Sequence, residues 1–243
     1  QVAYVSGGAL RTAKLDGSLD QQVTFNQAPV ADPVILPDGR MVFASAGALM
    51  GVNLDGTDYA MFVPGVRPQS PAVVEENEVM FVEGAGTLAA VKLERPLHMR
   101  RVVASGGLFS TPAGLPDGSV LASWRAAAGA AARLVRVDAT KGTKTEVFAL
   151  SGESLTQARL IASREEPAGR GSVVDEAAKW ARLYCLNVFT TDRPATVNAR
   201  TARRVRVLAG PASRPRKLGE APLEADGSFH LEVPPDTPLK LEL

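Results

Sequence analysis

Cysteine is almost missing from this sequence, and that scarcity removes whole classes of chemistry. Cys185 stands alone among 243 residues, so no internal disulfide, no multi-cysteine metal site and no covalent haem attachment fits within them. The two histidines, His98 and His230, lie far apart, with no partner at metal-ligand spacing. No apolar run approaches the roughly 20 residues that a membrane-spanning helix needs. Charge of one sign is lacking too: 27 basic residues face 26 acidic ones, a net charge of +1, which leaves no global field to draw in nucleic acid or an anionic membrane. The Gly-x-Ser-x-Gly elbow of a hydrolase nucleophile is also absent. The sequence opens at Gln1 in what reads as one strand and closes at Leu243 in another, which reads as part of a longer protein. The lack of a leader is therefore no evidence about its compartment.

What is present is a repeat. Met41-Val42-Phe43-Ala44-Ser45 with Leu54-Asp55-Gly56 behind it restates, 39 positions on, Val2-Ala3-Tyr4-Val5-Ser6 with Leu15-Asp16-Gly17. Val79 to Glu83 is a third copy and Val120 to Trp124 a fourth, while Pro37-Asp38-Gly39 returns two periods later as Pro116-Asp117-Gly118. Short apolar strands at this interval, separated by Asp-Gly turns, match the four-stranded blade of a β-propeller. One blade cannot bury both sheet faces alone, so blades must stack. Within the second copy, Met41 to Ser45 predicts a strand covered on both faces. Gly47 to Leu54 predicts the next strand and Tyr59 to Val63 one running outward. Pro68 to Val74 predicts the return toward the axis. In the third copy Glu75-Glu76-Asn77-Glu78 replaces Pro-Asp-Gly, and the Leu-Asp-Gly mark decays to Leu93-Glu94-Arg95 and then to Val137-Asp138-Ala139. The alanine and glycine tract Ala126 to Ala132 has helix propensity, but its place between two strands favours a loop.

Pro-Asp-Gly-Arg, a short apolar strand and then Asn-Leu-Asp-Gly-Thr-Asp resemble the propeller repeat of the TolB protein and the wider PD40 family over residues 1–164. That family usually closes with six or more blades, so the four copies here imply further blades upstream. Such propellers occur in binding proteins, peptidases and redox proteins alike, so the likeness implies fold rather than function.

From Glu165 the cadence stops. Residues 165–171 read as a polar linker and the domain boundary, with residues 165–243 as a β-sandwich-like middle domain cut short at its C-terminus. Leu183 to Phe189 reads as a strand apolar on both faces and Arg204 to Leu208 as one with a single buried face. Leu223 to Val233 reads as a hairpin about Asp226-Gly227, and Leu239 to Leu243 as an alternating strand. Ser172-Val173-Val174-Asp175, Leu183-Tyr184-Cys185-Leu186-Asn187-Val188, Asp226-Gly227-Ser228-Phe229 and Val233-Pro234-Pro235-Asp236-Thr237-Pro238-Leu239 resemble the middle region of proteins related to the hydrazine synthase alpha subunit. The resemblance implies a periplasmic or secreted redox protein whose haem c attaches at a Cys-x-x-Cys-His downstream of Leu243. Within these residues it implies a non-catalytic scaffold docked to other domains of the parent or to a protein partner. The alternative is a TolB-like periplasmic module that holds a protein or ligand on its axial face.

No catalytic, cofactor-binding or metal residue is assigned, and whether the parent is an oxidoreductase stays open. Asp16, Asp55, Asp117 and Asp226 are candidates for calcium, but each is followed by glycine rather than by alternating oxygen donors, which favours turns. Cys185 is open to two readings, a reactive thiol or haem axial ligand and a small buried hydrophobe, of which its apolar flanks favour the second. Arg200, Arg203, Arg204, Arg206, Arg214, Arg216 and Lys217 form a basic cluster. Without interleaved aromatics it favours a solvated strand face over nucleic-acid binding, with a docking surface for another domain as the other reading. His98 and His230 have no nameable catalytic partner.

Overall fold

A computed structural model describes residues 2–25, 28–75, 77–163, 166–172, 174–175, 177–189, 201–211 and 213–243. Its described elements are all strands: no helix is present among them, so none is long and apolar enough to cross a membrane. The chain divides into two compact units, Gln1–Thr24 with Ala28–Ser172, and Phe25–Gln27 with Val173–Leu243. Arg164 and Glu165, where the boundary is expected from sequence, lie outside the described residues.

Among the described residues the first unit holds four antiparallel sheets. The first contains β1 (Val2–Ser6), β2 (Ala9–Ala13) and β3 (Gln21–Gln22) in that order. The second contains β4 (Val30–Ile35), β5 (Met41–Ser45), β6 (Ala48–Val52) and β7 (Ala60–Val63). The third contains β8 (Pro68–Glu75), β9 (Glu78–Glu83), β10 (Thr87–Lys92) and β11 (Arg100–Ala104). The fourth contains β12 (Leu108–Gly114), β13 (Val120–Arg125), β14 (Arg133–Val137) and β15 (Lys144–Phe148). In the last three sheets each strand pairs with its neighbour in sequence, and the repeated apolar pentads are the second strands, β5, β9 and β13. By the same count β1 is a second strand, so the first sheet comprises the second, third and fourth strands of a blade.

The core explains the cadence. Along β9, Val79 and Phe81 pack with Leu36, Val42, Leu49 and Phe62 of the second sheet. The intervening Met80 and Val82 pack with Phe109, Val120, Ala122 and Val135 of the fourth. Side chains of a strand alternate between faces, so a strand covered by a sheet on each side must be apolar at every position. Met41 and Phe43 of β5 likewise turn toward Leu10 and Val23 of the first sheet, while Val42 turns toward the third. The four sheets are therefore stacked blades rather than one continuous layer, as the repeat requires. The alanine and glycine tract is a loop, as its position predicts.

Innermost strands approach each other closely. A Cβ on Gly114 of β12 would meet the Val73 carbonyl oxygen of β8 at 2.3 Å, so only glycine lets these two backbones touch. Each of β4, β8 and β12 also carries an irregularity at the same place, between Ala31 and Val34, Gln69 and Ala72, and Ser110 and Ala113.

The second unit holds a two-stranded sheet of β16 (Ala181–Cys185) and β19 (Phe229–Val233), and a three-stranded sheet in which β17 (Arg204–Ala209) lies between β18 (Arg216–Pro222) and β20 (Leu239–Glu242). Val205, Val207, Phe229 and Val233 are its buried anchors. Two expectations are corrected. The turn at Asp226-Gly227 forms, but it closes no hairpin: β18 before it pairs with β17, and β19 after it pairs with β16. A turn fixes local reversal only, and burial of Phe229 and Val233 decides which strand lies alongside. The strand expected over Leu183 to Phe189 runs instead from Ala181 to Cys185, with Leu183 and Cys185 half-buried and Tyr184 and Leu186 61% and 89% exposed. One face, not both, is covered.

Gly114→Ala is expected to lower the stability of the first unit by about 1–3 kcal/mol through overpacking. Gly219→Ala, where an added methyl meets nothing within 4 Å, is expected to be close to neutral. Urea-denaturation midpoints of the two variants check this; equal midpoints would refute the close inter-sheet approach.

Candidate functional site

Every aspartate considered for calcium sits in the same kind of tight turn. At Lys14 to Ser18 the first residue donates to the fifth carbonyl at 2.8 Å, and Gly17 N donates back to the Lys14 carbonyl at 2.9 Å. The pattern repeats at Leu36 to Arg40, Asn53 to Thr57, Leu115 to Ser119 and Glu224 to Ser228. The glycine in each has φ between 76° and 84°, the left-handed residue that a three-residue loop with a glycine bulge requires. The aspartate accepts from the residue two further on: Ser18 N and Oγ donate to Asp16, Thr57 N and Oγ1 to Asp55, and Ser119 N and Oγ to Asp117. These donors hold Asp16, Asp117 and Asp226 below the ordinary carboxylate range, through the serine hydroxyl first and the serine amide second. At Asp55 partial burial pushes the other way, and hydrogen bonds from Thr57 and Ser172 outweigh it. The carboxylates are thus engaged by their own turns, Asp55 by Ser172 and Asp117 by Arg136 as well, and no cluster of three metal-ligating side chains occurs among the described residues. The serine or threonine two positions after the aspartate is legible in the sequence as Asp-Gly-Ser/Thr, a signal that reading the turns from Asp-Gly alone leaves unused.

The inward strands carry a second polar set that sequence reasoning missed. Asp32, Ser70 and Thr111 have φ of 51°, 47° and 47°, a region costly for residues with a Cβ. Each precedes a proline, Pro33, Pro71 and Pro112, and that recurring dipeptide is the signal that would have found them. Strain of this kind raises the question of a site. The side chains of Asp32 and Thr111 answer it, because each accepts from a backbone amide beyond its own sheet: Ser70 N donates to Asp32 Oδ2 at 2.8 Å, and Gln157 N to Thr111 Oγ1 at 3.1 Å.

A third polar cluster involves the segment read as a linker. Ala168 N donates to the Pro37 carbonyl at 2.8 Å, and Arg170 donates to the Asp38 carbonyl at 2.9 Å and to Asn53 Oδ1 at 3.1 Å. Ser172 Oγ reaches Asp55 Oδ2 at 2.8 Å. Residues 166–172 are therefore laid along the turns of the second sheet, and a Cβ on Gly39 would stand 2.2 Å from the Ala168 oxygen.

Other candidates resolve into structure. Glu78, 5% exposed, is held by Nε and one terminal nitrogen of Arg101 at 3.0 and 2.8 Å, and Arg101 also donates to the Ala139 carbonyl of the fourth sheet. An open depression of about 550 Å³ lies at the alanine tract, lined by Trp124, Ala130, Arg133 and Leu150. Two of its side chains are engaged: Trp124 donates to the Gly106 carbonyl, with Lys144 4.7 Å from the indole centre, and Arg133 pairs with Glu146 at 2.8 Å. Cys185 is a half-buried free thiol opposite Phe229. His230 stacks on Tyr184, its cross-strand partner, at 4.3 Å and 10°. The His98 amide donates to the Arg95 carbonyl in a turn.

The basic cluster is divided. Arg200 lies outside the described residues. Around Glu220, Arg206 and Lys217 approach to 2.9 and 2.7 Å and Arg204 to 3.5 Å, while Arg206 also meets Glu242 at 3.4 Å. Lys217 first and then Arg206 lower the Glu220 carboxyl to about 2. The cluster is thus a sheet face with interleaved acids brought from β18 and β20, which the stretch Arg200 to Lys217 does not itself contain.

A carboxyl lowered in the folded state stabilises fully above its unfolded value and loses that contribution as pH falls to its folded value. Thermal melts of Glu220→Gln are therefore expected to differ from the parent at neutral pH, to converge below about pH 4.5 and to coincide near pH 2. A difference that stays constant down to pH 2 would refute the ion-pair role.

No protein-family model matches the chain, and no curated protein matches it. Among solved structures, Kuenenia stuttgartiensis hydrazine synthase aligns with a TM-score of 0.76 at 16% identity, over 91% of this chain and 41% of that one. TolB from Acinetobacter baumannii aligns at 0.54 and 14% identity, over 98% of this chain and 64% of that one. An oligogalacturonate lyase in complex with manganese aligns at 0.50 and 12% identity, over 91% and 63%. The chain spans about two-fifths of the length of the hydrazine synthase chain. In fold, then, these residues are TolB-like propeller blades followed by a small β unit, and they resemble part of hydrazine synthase.

Proposed function

We propose that residues 1–243 are the non-catalytic scaffold and docking region of a larger secreted redox protein related to the hydrazine synthase alpha subunit. In this reading the parent binds haem c through a Cys-x-x-Cys-His downstream of Leu243, and these residues hold its haem domain or a protein partner in the periplasm. The observation that carries the reading is the extent of the likeness: one alignment with hydrazine synthase covers 91% of this chain, so it takes in residues of both units. The chemistry of the region agrees with it. Turn aspartates, inward bulges and the Glu220 cluster are each engaged in holding the fold, and a rigid array with its polar groups so used is suited to positioning neighbours.

A second reading, a TolB-like module that binds a protein or ligand, is favoured by the alignment with TolB over 98% of this chain. The two differ in the chemistry expected of the parent beyond residue 243. Co-expression with a c-type haem maturation system is expected to give a red full-length parent with a reduced haem c spectrum, and a colourless 243-residue protein. A parent that lacks Cys-x-x-Cys-His and purifies colourless would overturn the first reading in favour of the second.

A further inference from the structure

The last residues of the first unit are seated on its surface rather than packed into it. Every residue from 166 to 172 is exposed, and none of them belongs to a buried core cluster. Their hold is polar and spans two turns of the second sheet. At the first turn the Ala168 amide donates to the Pro37 carbonyl and Arg170 Nε to the Asp38 carbonyl, while one terminal guanidinium nitrogen lies 3.6 Å from the Asp38 carboxylate. At the second turn the other terminal nitrogen donates to Asn53 Oδ1, and Ser172 Oγ donates to Asp55 Oδ2. Asn53 is preset for this contact. Its amide nitrogen is taken by Thr57 Oγ1 at 2.9 Å and Asp58 Oδ2 at 3.1 Å, which leaves its oxygen to accept from Arg170.

The glycines on either side of Arg170 are not required by this arrangement. Neither Gly169 nor Gly171 has a left-handed φ, and a Cβ added to either would meet nothing within 4 Å. Glycine at such a position acts on the freed chain instead, whose conformational entropy it raises. Surface hydrogen bonds of this kind also open at far lower cost than a core, because water can replace each partner. We propose that residues 166–172 are a releasable latch, closed by Arg170 across two turns, kept near opening by its flanking glycines, and setting how much free chain precedes the second unit, which resumes at Val173. Opening adds up to about 24 Å of reach, from seven residues at about 3.4 Å each. Closing takes that length up and leaves the stacked sheets as they are. The latch serves a docking scaffold and a ligand-binding module alike, so it does not rest on the haem reading.

Trypsin reads the latch directly, because cutting after Arg170 needs the flanking residues lifted off the surface, and its rate relative to the denatured chain follows the open population. The 243-residue protein carries Arg164→Gln in every sample, which removes the neighbouring cut site. Ala168→Pro deletes the amide that donates to Pro37 and keeps every charge, and it is expected to speed cutting after Arg170 by about two- to tenfold. Ser172→Ala, which touches only the other turn, is expected to speed the same cut by a similar factor. Gly169→Ala is expected to slow it by about two- to fivefold. All three variants are expected to keep the melting temperature of the parent. Cutting left unchanged by Ala168→Pro and Ser172→Ala overturns the latch. So does a melting temperature that falls as cutting speeds up, which would make the segment part of the core, or a Gly169→Ala protein cut no more slowly than the parent.

Discussion

The structure depends on one constraint: a blade sheet has two apolar faces and must have a neighbour on each. Val79 and Phe81 answer to the second sheet while Met80 and Val82 answer to the fourth, so neither interface can be altered without touching a strand that serves the other. Fully buried side chains such as Phe43 and Phe81 contribute several kcal/mol each by the usual cost of truncating them, and their contribution is made between sheets rather than within one. The same constraint makes a strand without a neighbouring sheet different from those in the middle. All five residues of β15, which follows the last repeat of the cadence, are exposed, with Val147 and Phe148 each at 53%.

The turns obey a separate and purely local rule. Five turns share one hydrogen-bond pattern, and the fifth, Glu224 to Ser228, belongs to the second unit and closes no hairpin. Asp-Gly-Ser/Thr is therefore not a mark of the propeller. It is chemistry for reversing a chain: glycine supplies the left-handed position, and the aspartate is tied down by the hydroxyl and amide two residues on. The fold was legible from the interval between marks rather than from the marks themselves. This is why the third sheet could lose Pro-Asp-Gly and Leu-Asp-Gly and still stack in place.

What the sequence revealed was whatever repeats along it. Strand order, the position of each blade's second strand and the loop at the alanine tract are set by cadence and by runs such as Met41 to Ser45. What it hid was whatever depends on residues far apart in the chain. Arg170 reads as part of a soluble linker because Asp38 and Asn53 precede it by more than a hundred positions. The basic cluster reads as unneutralised because Glu220 and Glu242 come from other strands. β19 reads as half of a hairpin because nothing local says that β16 is its partner. Glu78 reads as a turn residue until Arg101 is brought over it.

The inward bulges show how strain and function come apart. Left-handed Asp32, Ser70 and Thr111, each ahead of a proline, meet the description of a strained polar ring at a propeller axis, which is where a binding site is first sought. Yet the strain has a mechanical cause. Turning the backbone at Asp32 aims its carboxylate at the Ser70 amide, and turning it at Thr111 aims its hydroxyl at the Gln157 amide, so two of the three bulges convert a strand irregularity into a bond to backbone beyond their own sheet. A group already committed to a backbone amide is a poor ligand for anything else, because binding would leave that amide unsatisfied at a cost of about 1–3 kcal/mol. Asp32 and Thr111 therefore serve the packing of the blades, and the strain at these positions needs no ligand to account for it.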